Sequence, residues 1–364
     1  MRKFVLCVFF LCSVIGVFAT HNRAGEITYR HVSGYIYEFT IITYTYTPSL
    51  ANESRDKLPL DWGDGSKGEI KRINEEYLPD NFTKNTYKTT HTYPGPGMYT
   101  ISMEDPNRNE GVINIVESVN VPFSITTTLR IDAILGGNNT PILTNPPVDN
   151  AAIGVKFIHN PAAYDPDGYS LAYRLTTCSG EGGEFISGYT FPMTSKDFYV
   201  DPVSGDMVWD APIVLGSYNV AMIIEEWRKG TKIAEIVRDM QIEVYDADNS
   251  VPKISDLSDV CVRVGDTVRF KVIATDADNN NITLTASGGP FEVNNKASFT
   301  TILNKVGQNI SEFEWVPSCD DIREQSYMVL FKAVDDDKVA LADMKYVNIK
   351  VIGHPPVKIA AEPH

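Results

Sequence analysis

Residues 35–47 read Tyr-Ile-Tyr-Glu-Phe-Thr-Ile-Ile-Thr-Tyr-Thr-Tyr-Thr and consist almost wholly of aromatic and β-branched side chains. Tyr37 and Phe39 fall on one parity of this run, and Ile42 and Tyr44 fall on the other. Such alternation is typical of a β-strand, and the change of parity predicts a bulge or a twist from one sheet to the next. The segment therefore indicates a β-sheet protein.

Similar short runs recur along the 364-residue chain, separated by Gly, Pro, Asn and Asp. No stretch keeps a helical period for several turns. Many short strands with turn residues between them predict an all-β fold of tandem Ig-like β-sandwiches, and the length suits two or three such domains. The further runs are Tyr99–Met103, Phe123–Arg130, Leu171–Leu175, Tyr218–Ile224, Met240–Val244, Val268–Ala274, Tyr327–Ala333 and Tyr346–Ile352.

The second half of the chain contains an internal repeat. Four landmark residues occur twice in the same order, and the offset between the copies stays between 106 and 111 residues. Nearly constant spacing over the length of a domain is typical of tandem copies of one fold. The pairs are Gly154 and Gly265, Asp165 and Asp276, Trp209 and Trp315, and Tyr218 and Tyr327.

The first domain differs from this repeat and carries two glycine-rich segments. Asp61-Trp-Gly-Asp-Gly65 permits a turn with positive φ, and His91-Thr-Tyr-Pro-Gly-Pro-Gly97 leads into the strand that begins at Tyr99. Together the two segments resemble the signature of the PKD (polycystic-kidney-disease) type of domain. The resemblance implies an Ig-like β-sandwich for this part of the chain.

Acidic side chains of the last repeat gather in its entry linker, in the turn at Asp276 and in the turn at Asp335. These segments lie at the same end of an Ig-like sandwich, where carboxylates repel one another unless a cation lies among them. Oxygen ligands at this density suit Ca²⁺. The segments also resemble the linker, the paired-Asp turn and the late ligand loop of cadherin repeats. The predicted ligands are Asp246, Asp248, Asn249, Asp276, Asp278 and Asp335.

The junction between the first two domains has a similar pattern with fewer acids. Its candidate Ca²⁺ ligands are Asp165, Asp167 and Glu226, with Asn138 and Asn139 upstream. The alternative for both junctions is that Asp-Pro-Asp-Gly and Asp-Ala-Asp-Asn form Asx-type turns without a metal ion.

The N-terminus has the pattern of a secretory signal peptide. Two basic residues precede an uncharged apolar run over 4–18, which is too short to span a bilayer, and Val17-Phe-Ala19 is a small-residue cleavage pattern. A lipoprotein anchor on Cys7 or Cys12 is the alternative. No later segment is apolar enough to span a membrane, so we expect a secreted or cell-surface protein without a transmembrane segment in the mature chain.

The formal net charge of −15 argues against binding to nucleic acid or to anionic membranes. Export permits disulfides, and three cysteines remain after cleavage of the signal peptide. Cys261 and Cys319 are predicted at one end of the last domain, so a bridge between them is expected, with a stabilisation of ~4 kcal/mol. Cys178 has no predicted partner.

Catalytic motifs are missing from the sequence, which has no nucleophile elbow, zinc-protease helix, phosphate-binding loop or dinucleotide fingerprint. Trp209 and Trp315 each precede a turn proline and are expected to anchor the core rather than to form ligand platforms. The chain is therefore predicted not to be an enzyme, although its many carboxylates leave a glycosidase-like pair open.

Several segments resemble the gliding-motility-associated surface proteins of the Bacteroidetes, which are exported by the type IX route. The resemblance implies association with the outer membrane and, in that family, a C-terminal sorting domain after further β-domains. The segments are 20–29, 160–168, 216–220, 226–228 and 238–242.

The sequence thus predicts a signal peptide, a PKD-like domain, two cadherin-like repeats and a linker stub. The favoured function is a non-enzymatic extracellular rod, an adhesin or a spacer with joints rigidified by Ca²⁺, whose partner is a cell-surface protein or a glycan. The alternative is the non-catalytic front of a larger secreted polysaccharide-degrading enzyme, with further domains after the last residue. The predicted boundaries are 1–19, 20–145, 146–249, 250–353 and 354–364.

Overall fold

The computed structural model describes residues 22–47, 55–79 and 81–355. The predicted signal peptide and residues 356–364 of the predicted linker stub lie outside this range. The strands are β1 (Asn22–Ser33), β2 (Ile36–Tyr46), β3 (Lys57–Asp61), β4 (Lys67–Leu78), β5 (Phe82–Thr92), β6 (Gly97–Asp105), β7 (Phe123–Ile131), β8 (Ile142–Leu143), β9 (Asn150–Ala152), β10 (Phe157–His159), β11 (Ala163–Tyr164), β12 (Ser170–Thr176), β13 (Thr194–Val200), β14 (Met207–Pro212), β15 (Gly216–Arg228), β16 (Thr231–Tyr245), β17 (Lys253–Ile254), β18 (Val260–Arg263), β19 (Val268–Thr275), β20 (Ile282–Gly288), β21 (Ser298–Lys305), β22 (Gln308–Trp315), β23 (Tyr327–Asp335) and β24 (Ala342–Ile352).

Helical structure in the described residues is limited to short 3₁₀ turns, so the predicted all-β class is confirmed. No helix in these ranges is long and apolar enough to cross a membrane. The 3₁₀ turns are Ser118–Asn120, Glu181–Gly183, Gly289–Phe291 and Cys319–Asp321.

Strand β2, which contains most of the 35–47 run, has both faces buried. Tyr37 and Phe39 lie in the core of the first domain, whereas Tyr44 on the other parity lies in the core of the second. The pairing of β2 with β5 is regular from Ile36 to Tyr46. The register shift opposite Tyr44 and Thr45 lies in β1, between Asn22 and Ala24, so β2 itself has no bulge at its change of parity. The change of parity instead marks the point where a second hydrophobic core begins on the opposite face of the same strand.

Strand β16 joins the first two domains into one sheet. It pairs with β15 along most of its length, and it also pairs with β7 at Ala234 and with β1 at Met240. The resulting eleven-stranded sheet has the order β1-β2-β5-β4-β3-β6-β7-β16-β15-β12, with β9 added in parallel beside β16. Main-chain hydrogen bonds therefore cross the predicted boundary between residues 145 and 146.

The second and third domains each have two β-layers. In the second, β10-β14-β13 pack against the β12-β15-β16 part of the large sheet around Trp209. In the third, β17-β19-β22-β21 face β18-β24-β23-β20 around Phe313 and Trp315. Both tryptophans are fully buried, as expected for core anchors, and each indole N–H donates to a backbone carbonyl. Tandem sandwich architecture is confirmed.

The third domain lies beside the second and runs in the opposite direction. At one end the rings of Tyr164 and Tyr327 stack with centroids 6.1 Å apart, and at the other end Asn150 Nδ2 donates to Ala340 O over 3.3 Å. Because β23 starts at the first contact and ends near the second, the chain reverses direction between residues 246 and 252. These two domains are not arranged end to end, as a rod would require.

Candidate metal centre

The turn after β11 places Asp165 at the junction of the first two domains. Asp165 Oδ1 accepts the N–H of Tyr169 over 3.0 Å, and its main-chain carbonyl accepts the N–H of Gly168 over 3.3 Å. Gly168 has a φ of 76°, which suits glycine. An Asx-type turn, the alternative to a metal site in the sequence analysis, therefore accounts for one oxygen of the Asp165 carboxylate. The other, Oδ2, is buried and receives no hydrogen bond from the described residues.

Glu226 lies near the end of β15, with 0% of its surface exposed. Its Oε2 accepts a hydrogen bond of 2.8 Å from Asn138 Nδ2, while its Oε1 has no donor among the described residues. Asn138 Oδ1 is likewise buried and unpartnered there. Since buried oxygens normally have partners, three such oxygens on neighbouring residues of the linker, the turn and the strand form a candidate site for a positively charged group.

Electrostatics supports the same conclusion. Burial, followed by the charge of Asp165, raises the pKa of Glu226 well above its usual range, and burial also raises the pKa of Asp165. Two buried carboxylates that share one site cannot both ionise without compensation. The site therefore holds either a proton shared between the two carboxyl groups or a bound cation.

Asp167, the third acid predicted at this junction, lies outside the buried set. It is exposed, and its two oxygens accept the main-chain and side-chain N–H groups of Asn139, both over 2.8 Å. Asn139 Oδ1 in turn accepts the N–H of His31 over 2.9 Å. Asp167 and Asn139 thus tie the linker to the turn and to β1, while Asn138 and Glu226 lie in the buried site.

The donor set fits a hard cation. Among the described residues, no group of three or more His, Cys, Asp and Glu side chains is placed to hold a metal ion. The first junction instead offers two carboxylates, Asp165 and Glu226, and the amide oxygen of Asn138. Carboxylate and amide oxygens are the ligands that Ca²⁺ takes, with water completing its six to eight positions.

The second junction brings together Asn249, Asp276 and Asp335, but its oxygens are largely hydrogen-bonded. Asn249 Nδ2 donates to Asp335 Oδ2 over 3.0 Å, and Asn280 Nδ2 donates to Asn249 Oδ1 over 3.1 Å. Asp276 Oδ1 accepts two main-chain N–H groups, as in an Asx turn, and only its Oδ2 is buried without a donor in the described chain.

The remaining ligands predicted at the second junction are exposed. Asp278 accepts the N–H of Ser250 over 2.6 Å, so it braces the linker. Asp246 and Asp248 lie in the connection after β16, with their side chains toward solvent. Burial raises the pKa of Asp335, which is the buried acid that the sequence placed after β23. This junction therefore has fewer unsatisfied oxygens than the first.

Sequence reasoning missed two buried ion pairs next to the first junction. Arg238 pairs with Glu26 at 3.0 Å, and Arg108 pairs with Asp239 at 2.7 Å, with all four side chains at most 1% exposed. For Glu26, Arg238 and Asp239 the available signal was a charged residue inside a strand, because such residues are rarely buried unless paired. Arg108 lies in the loop after β6 and gave no such signal.

The predicted disulfide is absent from the structure. Cys261 and Cys319 are both free and exposed, and Cys178 is free and buried. Cys261 lies on β18, which pairs in parallel with β24, and Cys319 begins the short 3₁₀ turn after β22.

No family model matches the chain, and no curated protein matches it. Similar solved structures include mouse cadherin-23 EC22-24, 15% identical, covering 86% of each chain at a TM-score of 0.21. PcdhgB3 EC1-4 is 14% identical and covers 81% of this chain and 67% of that chain, at a TM-score of 0.23. The SrpA adhesin of Streptococcus sanguinis is 13% identical over 29% of this chain at a TM-score of 0.20, and the chain spans 58% of its length. The fold class itself follows from the strand pairing and layers described above.

Proposed function

We propose that the chain is a non-enzymatic extracellular adhesion or spacer protein, in which Ca²⁺ at the first junction fixes the arrangement of the domains. The observation that carries this proposal is that Glu226 contacts both Asp165 and Asn138, and that each of the three residues keeps one buried oxygen without a hydrogen bond. They belong to the linker, to a turn and to a strand of the following domain. An ion held by all three would tie these segments together.

A bound Ca²⁺ would supply the positive charge that the buried carboxylates of Asp165 and Glu226 lack. The chain's own residues prepare the site: Tyr169 fixes one oxygen of Asp165, and Asn138 fixes one oxygen of Glu226. Each carboxylate therefore has one oxygen held by a hydrogen bond and one left for a cation. This division is typical of pre-organised ligands.

Rigidity around the junction supports a structural role. The shared sheet through β16 and the buried Arg238–Glu26 pair hold the first two domains in one orientation. The secretory signal pattern supports a location at the cell surface, where Ca²⁺ is available and where a protein or glycan partner would be met. The side-by-side second and third domains make the spacer compact.

The test is calcium titration of the chain from residue 20 onward, followed by calorimetry and thermal unfolding. We expect Ca²⁺ to bind and to raise the melting temperature. Glu226→Gln and Asp165→Asn should abolish both effects, since each removes a charge from the buried set. Asp276→Asn is the matched control at the second junction and should leave binding at the first unchanged.

Two outcomes would contradict the proposal. An unchanged melt and no heat of binding in the unmutated chain would show that the carboxyl pair is satisfied by a proton alone. Loss of binding in Asp276→Asn but not in Glu226→Gln would place the ion at the other junction.

A further inference from the structure

Arg323 of the third domain contacts the turn that contains Asp165. Its Nη1 donates to the main-chain carbonyl of Asp165 over 3.0 Å, and its aliphatic Cδ lies 3.5 Å from the position that a Cβ would take at Gly168. Arg323 does not contact the carboxylate oxygens of Asp165 that the junction uses. It acts on the backbone of the turn.

The guanidinium of Arg323 is itself fixed within the third domain. It lies 3.7 Å from the ring centroid of Tyr327 and 5.0 Å from that of Tyr164, and it donates to the carbonyls of Gln325 and Ser326, both over 3.2 Å. Cation–π contacts that are largely shielded from water are stronger than exposed ones. The arginine is therefore a rigid connection between the two domains.

Tyr164 provides a second contact between the second and third domains. It directly precedes Asp165 in the chain, yet its ring packs in the hydrophobic core of the third domain, beside Tyr327. The ring also packs against Gly289 at the start of a 3₁₀ turn. A residue of the second domain is thus seated in the third, one position before a candidate cation ligand.

We propose that docking of the third domain sets the cation affinity of the first junction, with Arg323 and Tyr164 as positioning residues. This inference rests on the proposed function, since it concerns the same site. The third domain supplies no ligand. It holds the 165–168 turn in the conformation in which Asp165 lies beside Glu226 and keeps its Oδ2 without a hydrogen bond.

Thermodynamic linkage makes the effect reciprocal. If docking improves cation binding by some factor, cation binding must favour docking by the same factor, and such couplings typically amount to 5–150-fold. Docking has other contacts, such as the ion pair of the half-buried Lys332 with the buried Asp149. Loss of the Arg323 contact alone should therefore weaken cation binding without releasing the domain.

The experiment compares Ca²⁺ affinity, by calorimetry, in the unmutated chain and in Arg323→Ala, Arg323→Lys and Arg269→Ala. We expect Arg323→Ala to weaken binding at least about fivefold and Arg323→Lys to recover part of the loss. Arg269→Ala is the matched control, because this arginine is exposed on the same domain and pairs with Glu314. It should bind Ca²⁺ like the unmutated chain.

A second measurement needs no variant. Hydrogen exchange of the unmutated chain, with Ca²⁺ and with chelator, should show protection at 165–169 and also at 323–330 in the third domain. Protection confined to the first two domains, or equal affinity in folded Arg323→Ala and the unmutated chain, would overturn the inference and leave the proposed function standing. No Ca²⁺ binding by the unmutated chain would overturn both.

Discussion

Arg238 on β16 forms a two-point ion pair with Glu26 on β1: its Nη2 lies 3.0 Å from Oε1, and its Nε lies 3.3 Å from Oε2. The two side chains are 0% and 1% exposed. Arg238 Nη1 also donates to the carbonyl of Asn145 over 2.7 Å, in the connection between the domains. One guanidinium therefore links both domains and their connecting segment.

Neutralising Glu26 should destabilise the two domains together. Glu26→Gln leaves the buried charge of Arg238 without its partner, which typically costs about 3–5 kcal/mol. Denaturant unfolding should show this loss in a single transition of the first two domains. Arg30→Gln breaks an exposed pair with Glu38 on the same β1–β2 hairpin and should change stability little. Similar losses in both variants would contradict the argument.

Acidification should lower the free energy of unfolding through His159. This fully buried imidazole lies 2.8 Å from Asp149, and Lys332 and Arg238 are the other charged groups nearby. Burial, against the attraction of Asp149, lowers the pKa of His159 below its usual 6.5. The unfolded chain therefore binds more protons, so stability falls as the pH drops through about 6.5.

The check on this pH dependence is His159→Gln, which keeps a hydrogen-bonding side chain but does not titrate. Between pH 7.5 and pH 5.5, the unmutated chain should lose more free energy of unfolding than the variant does. Equal slopes in the two proteins would show that other groups cause the pH dependence.

The two turn glycines of the 61–65 segment should respond differently to alanine. Gly63 and Gly65 both have positive φ, at 76° and 89°. A Cβ at Gly63 would clash with the backbone of Thr100, whereas a Cβ at Gly65 meets no atom within 4 Å. Gly65→Ala should cost only the backbone strain of about 1–2 kcal/mol, and Gly63→Ala should add an overpacking cost of about 1–3 kcal/mol.

Thermal unfolding of these two glycine variants measures the difference directly. A larger loss in Gly65→Ala than in Gly63→Ala would contradict the close approach of the turn to β6.

Thiol titration should decide the state of the cysteines. In the chain from residue 20 onward, Cys261 and Cys319 are free and exposed, so two thiols should react with Ellman's reagent in the native state. Cys178 is buried, and burial raises the pKa of its thiol, so it should react only after denaturation. No reaction before reduction would restore the Cys261–Cys319 bridge that the sequence suggested.

Local patterns in the sequence predicted the β-class, the tryptophan core anchors and the side chains at the first junction. Asp165 was recognisable because it lies in a turn-forming segment, and Glu226 because it lies near the end of a predicted strand, at the same end of the sandwich. The two faces of β2 lie in different hydrophobic cores, and in the sequence this appeared only as a change of parity at Ile42. Periodicity indicates which face of a strand is buried, but it does not indicate which segment packs against that face.

The sequence patterns did not predict which distant segments of the chain contact one another. The Arg323–Tyr164 contact joins residues that lie far apart in the chain, and nothing in either local segment specifies the other. The reversal of direction at 246–252 has the same origin, since a short proline-containing linker is compatible with both an extended and a folded-back neighbour.

Because both domains share strand β16, they are held together by more than the chain segment that connects them. The connecting loop 132–137 is largely exposed, with Ile134 93% exposed, whereas the pairing of β16 with β1 and β7 and the Arg238–Glu26 pair are internal. A cut in that loop would break the chain but none of these contacts. The two halves should therefore stay together after such a cut, held by the strand pairing and the buried ion pair.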